Sequence, residues 1–226
     1  MRYIIAFAVC LLAAPALAAD SERPTVVELF QSQGCSSCPP ANAALAQYAG
    51  RGDILALTYA VTYWDRLGWK DTFGQPAFTE RQYAYARSLG ESGVYTPEIV
   101  VNGRAAGVGT DVSEVEALAR RTDRGVSGPA LRIEGDAVEI AAGAAPSGGA
   151  EVWVALYDPR TLEVPVPRGE NAGRTLGHRN VVKRLVRLGE WSGAATRLAL
   201  PASGGLARAV IVQRRGVGAV LAAARG

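Results

Sequence analysis

Cys35-Ser36-Ser37-Cys38-Pro39-Pro40 constrains this chain more tightly than any other stretch of its 226 residues. Proline has no amide hydrogen and sits without loss only among the first donors of a helix, so the paired prolines fix where a helix begins. Ser37 is then the expected N-cap, with Cys38, Pro39 and Pro40 as the first helical residues and Ala41 to Ala49 running on to a stop at Gly50. Ahead of the pair, Thr25 to Phe30 is β-branched and apolar apart from Glu28, which reads as a buried strand, and Gly34 supplies the turn. Cys35 falls just outside the helix, where it should be more exposed than Cys38 in the first turn and where the positive helix end and the Ser36 and Ser37 hydroxyls favour a thiolate. The effect should be moderate, because no Lys, Arg or His lies between Arg23 and Arg51.

The first residues explain where such a pair would work. Arg2, an apolar run from Ile4 to Leu12 and Ala16-Leu17-Ala18 form a secretory signal peptide over residues 1–18. The run is short for a membrane span and no later stretch approaches the ~20 apolar residues a span needs, so no stable membrane insertion is expected after signal removal. The expected location is periplasmic or secreted. Cys10 lies inside the signal, which leaves Cys35 and Cys38 as the cysteines of the mature chain, in a compartment where disulfides persist. As a staple, a four-residue loop would contribute only about 2 kcal/mol against ~4.7 for a 100-residue loop, which favours a redox pair. Two cysteines and the single His178 cannot complete a four-ligand zinc site, so neither a metal nor another cofactor is expected.

The net charge is +3, made up of +1 from Arg2, −3 over residues 20–127 (10 Lys+Arg, 13 Asp+Glu) and +5 over 128–226 (13 and 8). The basic residues are dispersed rather than gathered into an aromatic-interleaved patch, which argues against a nucleic-acid partner. After the first helix, Asp53 to Val61 reads as a second buried strand in a parallel β-α-β unit. Eight of the chain's 16 aromatics then fall between Tyr59 and Tyr85. Pro76 to Leu89 is the helix of that segment, with Gly90 as its stop. The aromatics either pack this helix onto the sheet or, at Tyr63, Trp64 and Trp69, form a partner-binding rim beside the thiols. Val94 to Val108 holds two short strands joined at Asn102-Gly103, a strong hairpin signal, and Asp111 to Arg121 is a helix.

This order and these motifs resemble the thioredoxin fold over about residues 24–122, with CxxC after the first strand and Thr96-Pro97 at that family's cis-proline position. The resemblance implies that the cis-proline loop packs against the cysteines and that the Thr96 backbone pairs with a bound substrate chain. The whole mature chain is more narrowly similar to an exported family catalogued as domain of unknown function family 1223. That likeness is carried by Glu28-Leu29-Phe30, Gln33 to Pro40, Tyr63-Trp64-Asp65, Gly68-Trp69-Lys70-Asp71, Thr96-Pro97 and Gly169-Glu170-Asn171. Members commonly place a His and an acidic residue just before Tyr-Trp-Asp, where this chain has Ala60 and Thr62, so no proton relay is carried over to those positions.

Beyond Thr122 the pattern changes. Gly125 to Pro129 is a linker, and Ala130–Glu134, Ala137–Ala141, Glu151–Tyr157, Val181–Leu188, Thr196–Leu200, Arg208–Gln213 and Val217–Ala222 read as short strands of an antiparallel sandwich. The polar stretch Arg168 to His178 reads as a loop whose Glu170, Asn171 and Arg174 close a long turn onto their own backbone, with His178 a loop histidine; the alternative is a docking or ligand loop. The expected architecture is therefore a signal peptide (1–18), an α/β thioredoxin-like domain with CxxC (19–124) and a small all-β, sandwich-like domain (125–226). The expected activity is thiol-disulfide oxidoreduction, with Cys35 and Cys38 catalytic, Thr96, Pro97, Tyr63, Trp64 and Trp69 along the substrate groove, and protein or small thiol/disulfide partners. The alternative is a non-catalytic binding module with an idle disulfide.

Overall fold

The computed structural model describes residues 23–125 and 127–226. The expected signal peptide and Cys10 lie outside the described residues. Strand β1 (Thr25–Gln31) pairs in parallel with β2 (Ile54–Ala60), from Thr25 opposite Ile54 to Gln31 opposite Ala60, and helix α1 (Pro39–Tyr48) makes the crossover. Both strands are buried on both faces, as the unbroken apolar runs require. Helix α2 (Pro76–Leu89) starts with proline in its first turn and stops at Gly90 in the left-handed conformation.

Strands β3 (Glu98–Val101) and β4 (Ala105–Gly107) form the hairpin signalled by Asn102-Gly103, whose φ values of 51° and 59° are the positive pair such a turn needs. The Asn102 carboxamide also accepts from the Val26 amide at 2.9 Å and donates to the Thr122 carbonyl at 3.1 Å. It thereby ties the turn to β1 and to the end of helix α3 (Val112–Arg121).

The remaining strands are β5 (Leu131–Glu134), β6 (Ala137–Ile140), β7 (Ala150–Asp158), β8 (Leu162–Val166), β9 (Arg174–His178), β10 (Val181–Trp191), β11 (Thr196–Ala199), β12 (Ala207–Arg214) and β13 (Val220–Arg225). Strands β8 and β9 were not expected: Pro165 and the polar, glycine-containing run Arg174 to His178 disguise a two-stranded ribbon in which Val164, Val166, Leu176 and His178 point inward.

The expected fold class is overturned. The protein is not an α/β thioredoxin-like domain followed by a small all-β sandwich; it is mostly β, with one mixed eight-stranded sheet and three helices among the described residues. The order of that sheet, β13-β12-β7-β10-β2-β1-β3-β4, runs through both halves of the chain. The junction is β2 against β10, where Val181 lies opposite Thr58. The Thr58 amide donates to the Asn180 carbonyl at 2.9 Å, the Thr58 hydroxyl to the Arg179 carbonyl at 2.7 Å, and the Asn180 side chain to the Ala56 carbonyl at 2.8 Å. An apolar strand such as β2 left as an open edge would expose unpaired backbone groups, and β10 covers it. Alternation in a sequence reports strands but not which edges meet, and that is where the expectation failed.

One face of the sheet carries a core shared by both halves: Val26, Phe30, Leu57 and Tyr59 meet Phe78 and Tyr85 of α2 and Val182, Ile211 and Val220 of the later strands. On the opposite face α1 and α3 cover β1, β2 and β3 through Leu45, Tyr48 and Leu118. The three-stranded sheet β11-β6-β5 covers the later strands there, with Trp191 fully buried. At its far end the sheet returns to the β3–β4 turn: the Val220 amide donates to the Asn102 carbonyl at 2.8 Å. A Cβ on Gly103 would lie 2.4 Å from the Gly218 carbonyl oxygen, so a glycine is needed there for contact as well as conformation.

Two carboxyl groups are buried in the shared core. Glu28 accepts from Arg81 Nε at 2.8 Å and Arg81 Nη2 at 3.1 Å, and from the Tyr85 hydroxyl. Arg81 also donates to Gln213 of β12 at 2.9 Å and lies 5.1 Å from the centre of the Tyr85 ring. Removing one partner of a buried pair strands the other charge, which costs about 3–5 kcal/mol. Arg81→Met should therefore lower unfolding stability in denaturant by roughly that amount, and Gln213→Leu by only about 1–2 kcal/mol.

Glu98, also fully buried, accepts from Gln82 at 2.5 Å. Burial, against the Gln82 hydrogen bond and with the nearby Glu91 carboxyl, pushes its pKa up to about 7. A carboxyl whose folded pKa is raised stabilises the fold below its unfolded value near 4.5 and loses that stabilisation as pH rises through about 7. Relative to Glu98→Gln, the wild type should thus lose stability across that window, measured by denaturant titration at successive pH values.

Candidate functional site

Helix α1 begins at Pro39 with Cys38 as its N-cap residue and no side chain capping it, one residue later than the sequence suggests. Ser37 is free for other contacts: its hydroxyl lies 3.4 Å from Cys35 Sγ and donates to the Thr96 carbonyl at 3.5 Å. The turn is closed by its own backbone. The Cys35 amide donates to the Ser32 carbonyl at 3.1 Å, the Cys38 amide to the Cys35 carbonyl at 3.2 Å, and the Gly34 amide to the Ser32 hydroxyl at 3.0 Å. Cys35 and Cys38 form a disulfide with their Cα atoms 5.4 Å apart.

The Thr96–Pro97 bond is cis, and Pro97 is buried. The Trp64 indole donates to the Thr96 hydroxyl at 2.7 Å, and its Cβ sits 3.5 Å from where a Cβ on Gly34 would be. Trp69 donates to Gln33 Oε1 at 2.9 Å. Gln33 is fully buried and spends its other groups on the same loop: its amide donates to Asp71 at 2.7 Å, its side chain to Thr72 at 2.9 Å, and its Oε1 also accepts from the Thr72 amide at 3.2 Å. Contacts thus run from the Cys35–Cys38 turn through Ser37 to Thr96 and on to Trp64, and through Gln33 to Trp69, with Pro97 buried next to Thr96. Tyr63, half-buried, packs against the shared core as Trp64 does, with the Gln82 and Thr96 side chains beside its hydroxyl, and burial pushes its phenol up to about 12. Of the other aromatics of that segment, Tyr59, Phe78 and Tyr85 are core.

Cys35 was expected to be the more exposed cysteine, but both are 0% exposed. The cover includes the loop between β8 and β9. Asn171, fully buried, donates through its carboxamide nitrogen to the carbonyls of Gln33 at 2.9 Å and Cys35 at 2.8 Å, while its oxygen accepts from Arg174 at 2.7 Å. Both N–H groups and the oxygen are in use, which makes this a satisfied clamp. Beside it Glu170 accepts from the Ser36 amide at 3.1 Å and the Ser36 hydroxyl at 2.7 Å. Those donors hold the Glu170 carboxyl below the usual range. The Ser36 hydroxyl is among the groups expected to favour a Cys35 thiolate, so a docked Glu170 withholds it.

Gln33, Glu170 and Asn171 are the residues that sequence reasoning did not place at the site. Arg168 to His178 stands out as a polar stretch, but the Asn171–Cys35 contact spans 136 residues and has no local signature. Arg174 does fold back on its own loop as expected, its amide donating to the Asn171 carbonyl at 3.1 Å. His178 is not a loop residue: it is fully buried on β9. Among the described residues no group of three or more His, Cys, Asp or Glu is placed to hold a metal ion, and no helix is long and apolar enough to cross a membrane.

The chain is similar to two solved structures. Protein AGR_C_4864 from Agrobacterium tumefaciens shares 36% identity, with 93% of this chain and 95% of that one covered and a TM-score of 0.75. HBP35 of Porphyromonas gingivalis shares 10% identity, with 91% and 75% covered and a TM-score of 0.62, a likeness of fold alone. Among curated proteins there is no significant match. The matching family model covers residues 26–213, and the chain accordingly belongs to the family described as protein of unknown function, DUF1223.

Proposed function

We propose that this protein is an exported thiol-disulfide exchange protein whose working groups are Cys35 and Cys38. The observation that carries the reading is the placement of a CxxC disulfide at the start of α1, with the Thr96 carbonyl within reach of Ser37 and a separate loop held over the pair by side chains alone. The signal-like residues 1–18 support export to a compartment where such a pair persists. Thr96, Pro97, Trp64 and Trp69 form the wall against which a partner would lie.

The step balances without a cofactor. An incoming thiolate attacks Cys35 Sγ, the Cys35–Cys38 bond breaks, and Cys38 leaves as the thiolate. A second external thiolate then attacks the mixed disulfide, releasing an external disulfide and the Cys35 thiolate, and the two protein thiolates take protons from solvent. Net, two external thiols are oxidised and the pair is reduced; the reverse sequence reduces a substrate disulfide and re-forms the Cys35–Cys38 bond. Either direction requires the Glu170–Asn171 loop to lift.

The complete burial of both sulfurs favours a second reading, a binding module with an idle disulfide. Trapping separates the two. Cys38→Ser should accumulate mixed disulfides at Cys35 that run as reductant-sensitive adducts on non-reducing gels, and Cys35→Ser should give far fewer. Equal trapping by both would overturn the assignment of roles, and no trapping by either, where an established exchanger is trapped, would favour the idle disulfide.

A further inference from the structure

Two acidic side chains meet beside the Thr96 wall. Glu98 opens β3, opposite Phe30 of β1, and its side chain is fully buried. Glu91 lies in the turn after Gly90, half-buried, with its amide donating to the Ala86 carbonyl at 2.8 Å. Their carboxyl groups are hydrogen-bonded to each other. Two ionised carboxylates have no hydrogen to share, so this contact exists only while the pair holds a proton. One oxygen of each, Glu91 Oε2 and Glu98 Oε1, is buried and receives no N–H or O–H from any other described group.

The surroundings offer nothing to replace that proton. On α2, the Gln82 carboxamide nitrogen donates to Glu98 at 2.5 Å and to the Tyr95 carbonyl at 2.7 Å. Arg81 is spent on Glu28 of β1, and Arg87, one turn before Glu91, is exposed. Among the described residues neither carboxyl has an ion-pair partner. Tyr63, from the loop after β2, interacts with Glu98 and Tyr83, and Tyr95 with Glu98, Glu91 and Glu114 of α3. Burial pushes both phenols up to about 12, so they stay neutral where the pair titrates. Glu114 is itself taken up by the Val108 and Gly109 amides at 3.0 and 2.9 Å. Desolvation, opposed by the Gln82 hydrogen bond and aided by Glu91, pushes Glu98 up to about 7, which puts loss of the shared proton in the neutral range.

The short segment between the two carboxyls carries the wall. Gln82 fastens Tyr95, and the next residue, Thr96, accepts from the Trp64 indole at 2.7 Å through its hydroxyl and from Ser37 at 3.5 Å through its carbonyl. Glu98 is fixed by the pairing of β3 with β1, whereas Ser92 and Gly93 are exposed. Repulsion between the carboxylates is therefore relieved on the Glu91 side.

We infer that the Glu91–Glu98 pair is a proton-operated latch on the Thr96 wall. Holding its proton, it keeps residues 91–96 closed; once the proton passes to solvent, the carboxylates repel, Glu91 swings outward and the Thr96 contacts to Trp64 and Ser37 slacken. The consequence for a partner at the wall rests on the exchange reading, but the latch itself involves neither cysteine.

The Trp64 indole N–H, assigned with Trp64→Phe, reports the latch in ¹H–¹⁵N spectra of the oxidised protein. Its resonance and the Tyr95 and Thr96 amides should shift together as pH rises, with a midpoint near 7. Glu98→Gln keeps the shape and cannot ionise, so it should abolish the transition between about pH 5.5 and 8.5. Glu91→Gln puts an amide donor where the second carboxyl was, and should lower the midpoint by about one unit or more, a tenfold change in proton affinity. The disulfide stays intact and no thiol is present, so failure of trapping and failure of the latch are separate results. A wild type with no transition in that range, a midpoint unmoved by Glu91→Gln, or a transition that survives Glu98→Gln would overturn the latch.

Discussion

The pairing of β2 with β10 sets the rest of the structure. Thr58, Arg179 and Asn180 join the two strands through backbone and side chain together, with Asn180 itself in the left-handed conformation at φ 51°. Because β9 ends at His178, fixing Arg179 and Asn180 on β2 leaves the β8–β9 ribbon nowhere to lie but along α1. The loop at the tip of that ribbon then reaches the CxxC turn. One edge-to-edge contact thus makes the sheet continuous and brings Glu170 and Asn171 over the disulfide.

The closed site is a balance of hydrogen bonds rather than of packing. Asn171 holds the carbonyls of Gln33 and Cys35, and Glu170 holds the Ser36 amide and hydroxyl. Net hydrogen bonds of this kind contribute about 0.5–1.5 kcal/mol each, more where a charge takes part, so the loop can lift without global unfolding. When it does, the Ser36 donors pass from the Glu170 carboxylate to whatever negative charge develops at Cys35. In the proposed exchange, the same movement that exposes the sulfur would also make its thiolate easier to form, coupling access to reactivity.

Much of this was legible in the sequence where the signal is local. The strand before Cys35, the proline-started helices, the Asn102-Gly103 turn and most later strands follow from composition and punctuation, and His178 stood out only as a lone histidine. What was not legible is non-local. The register that sets Val181 against Thr58 has no signature in either segment, and without it β10 reads as part of a separate sandwich. Pro165 and Gly177 hide β8 and β9 because their ribbon needs α1 to cover its inward face. Even the exposure expected of Cys35 fails, because residues that lie far along the chain cover it.

The central claim is that the β8–β9 loop controls access to the Cys35–Cys38 disulfide. Its most direct test is the rate at which dithiothreitol reduces that disulfide in the wild type and in Asn171→Ala under native conditions. Loss of the two bonds to Gln33 and Cys35 should speed reduction by about tenfold or more, given roughly 1–3 kcal/mol for removing a buried, satisfied partner. Equal rates in the two proteins would contradict the account.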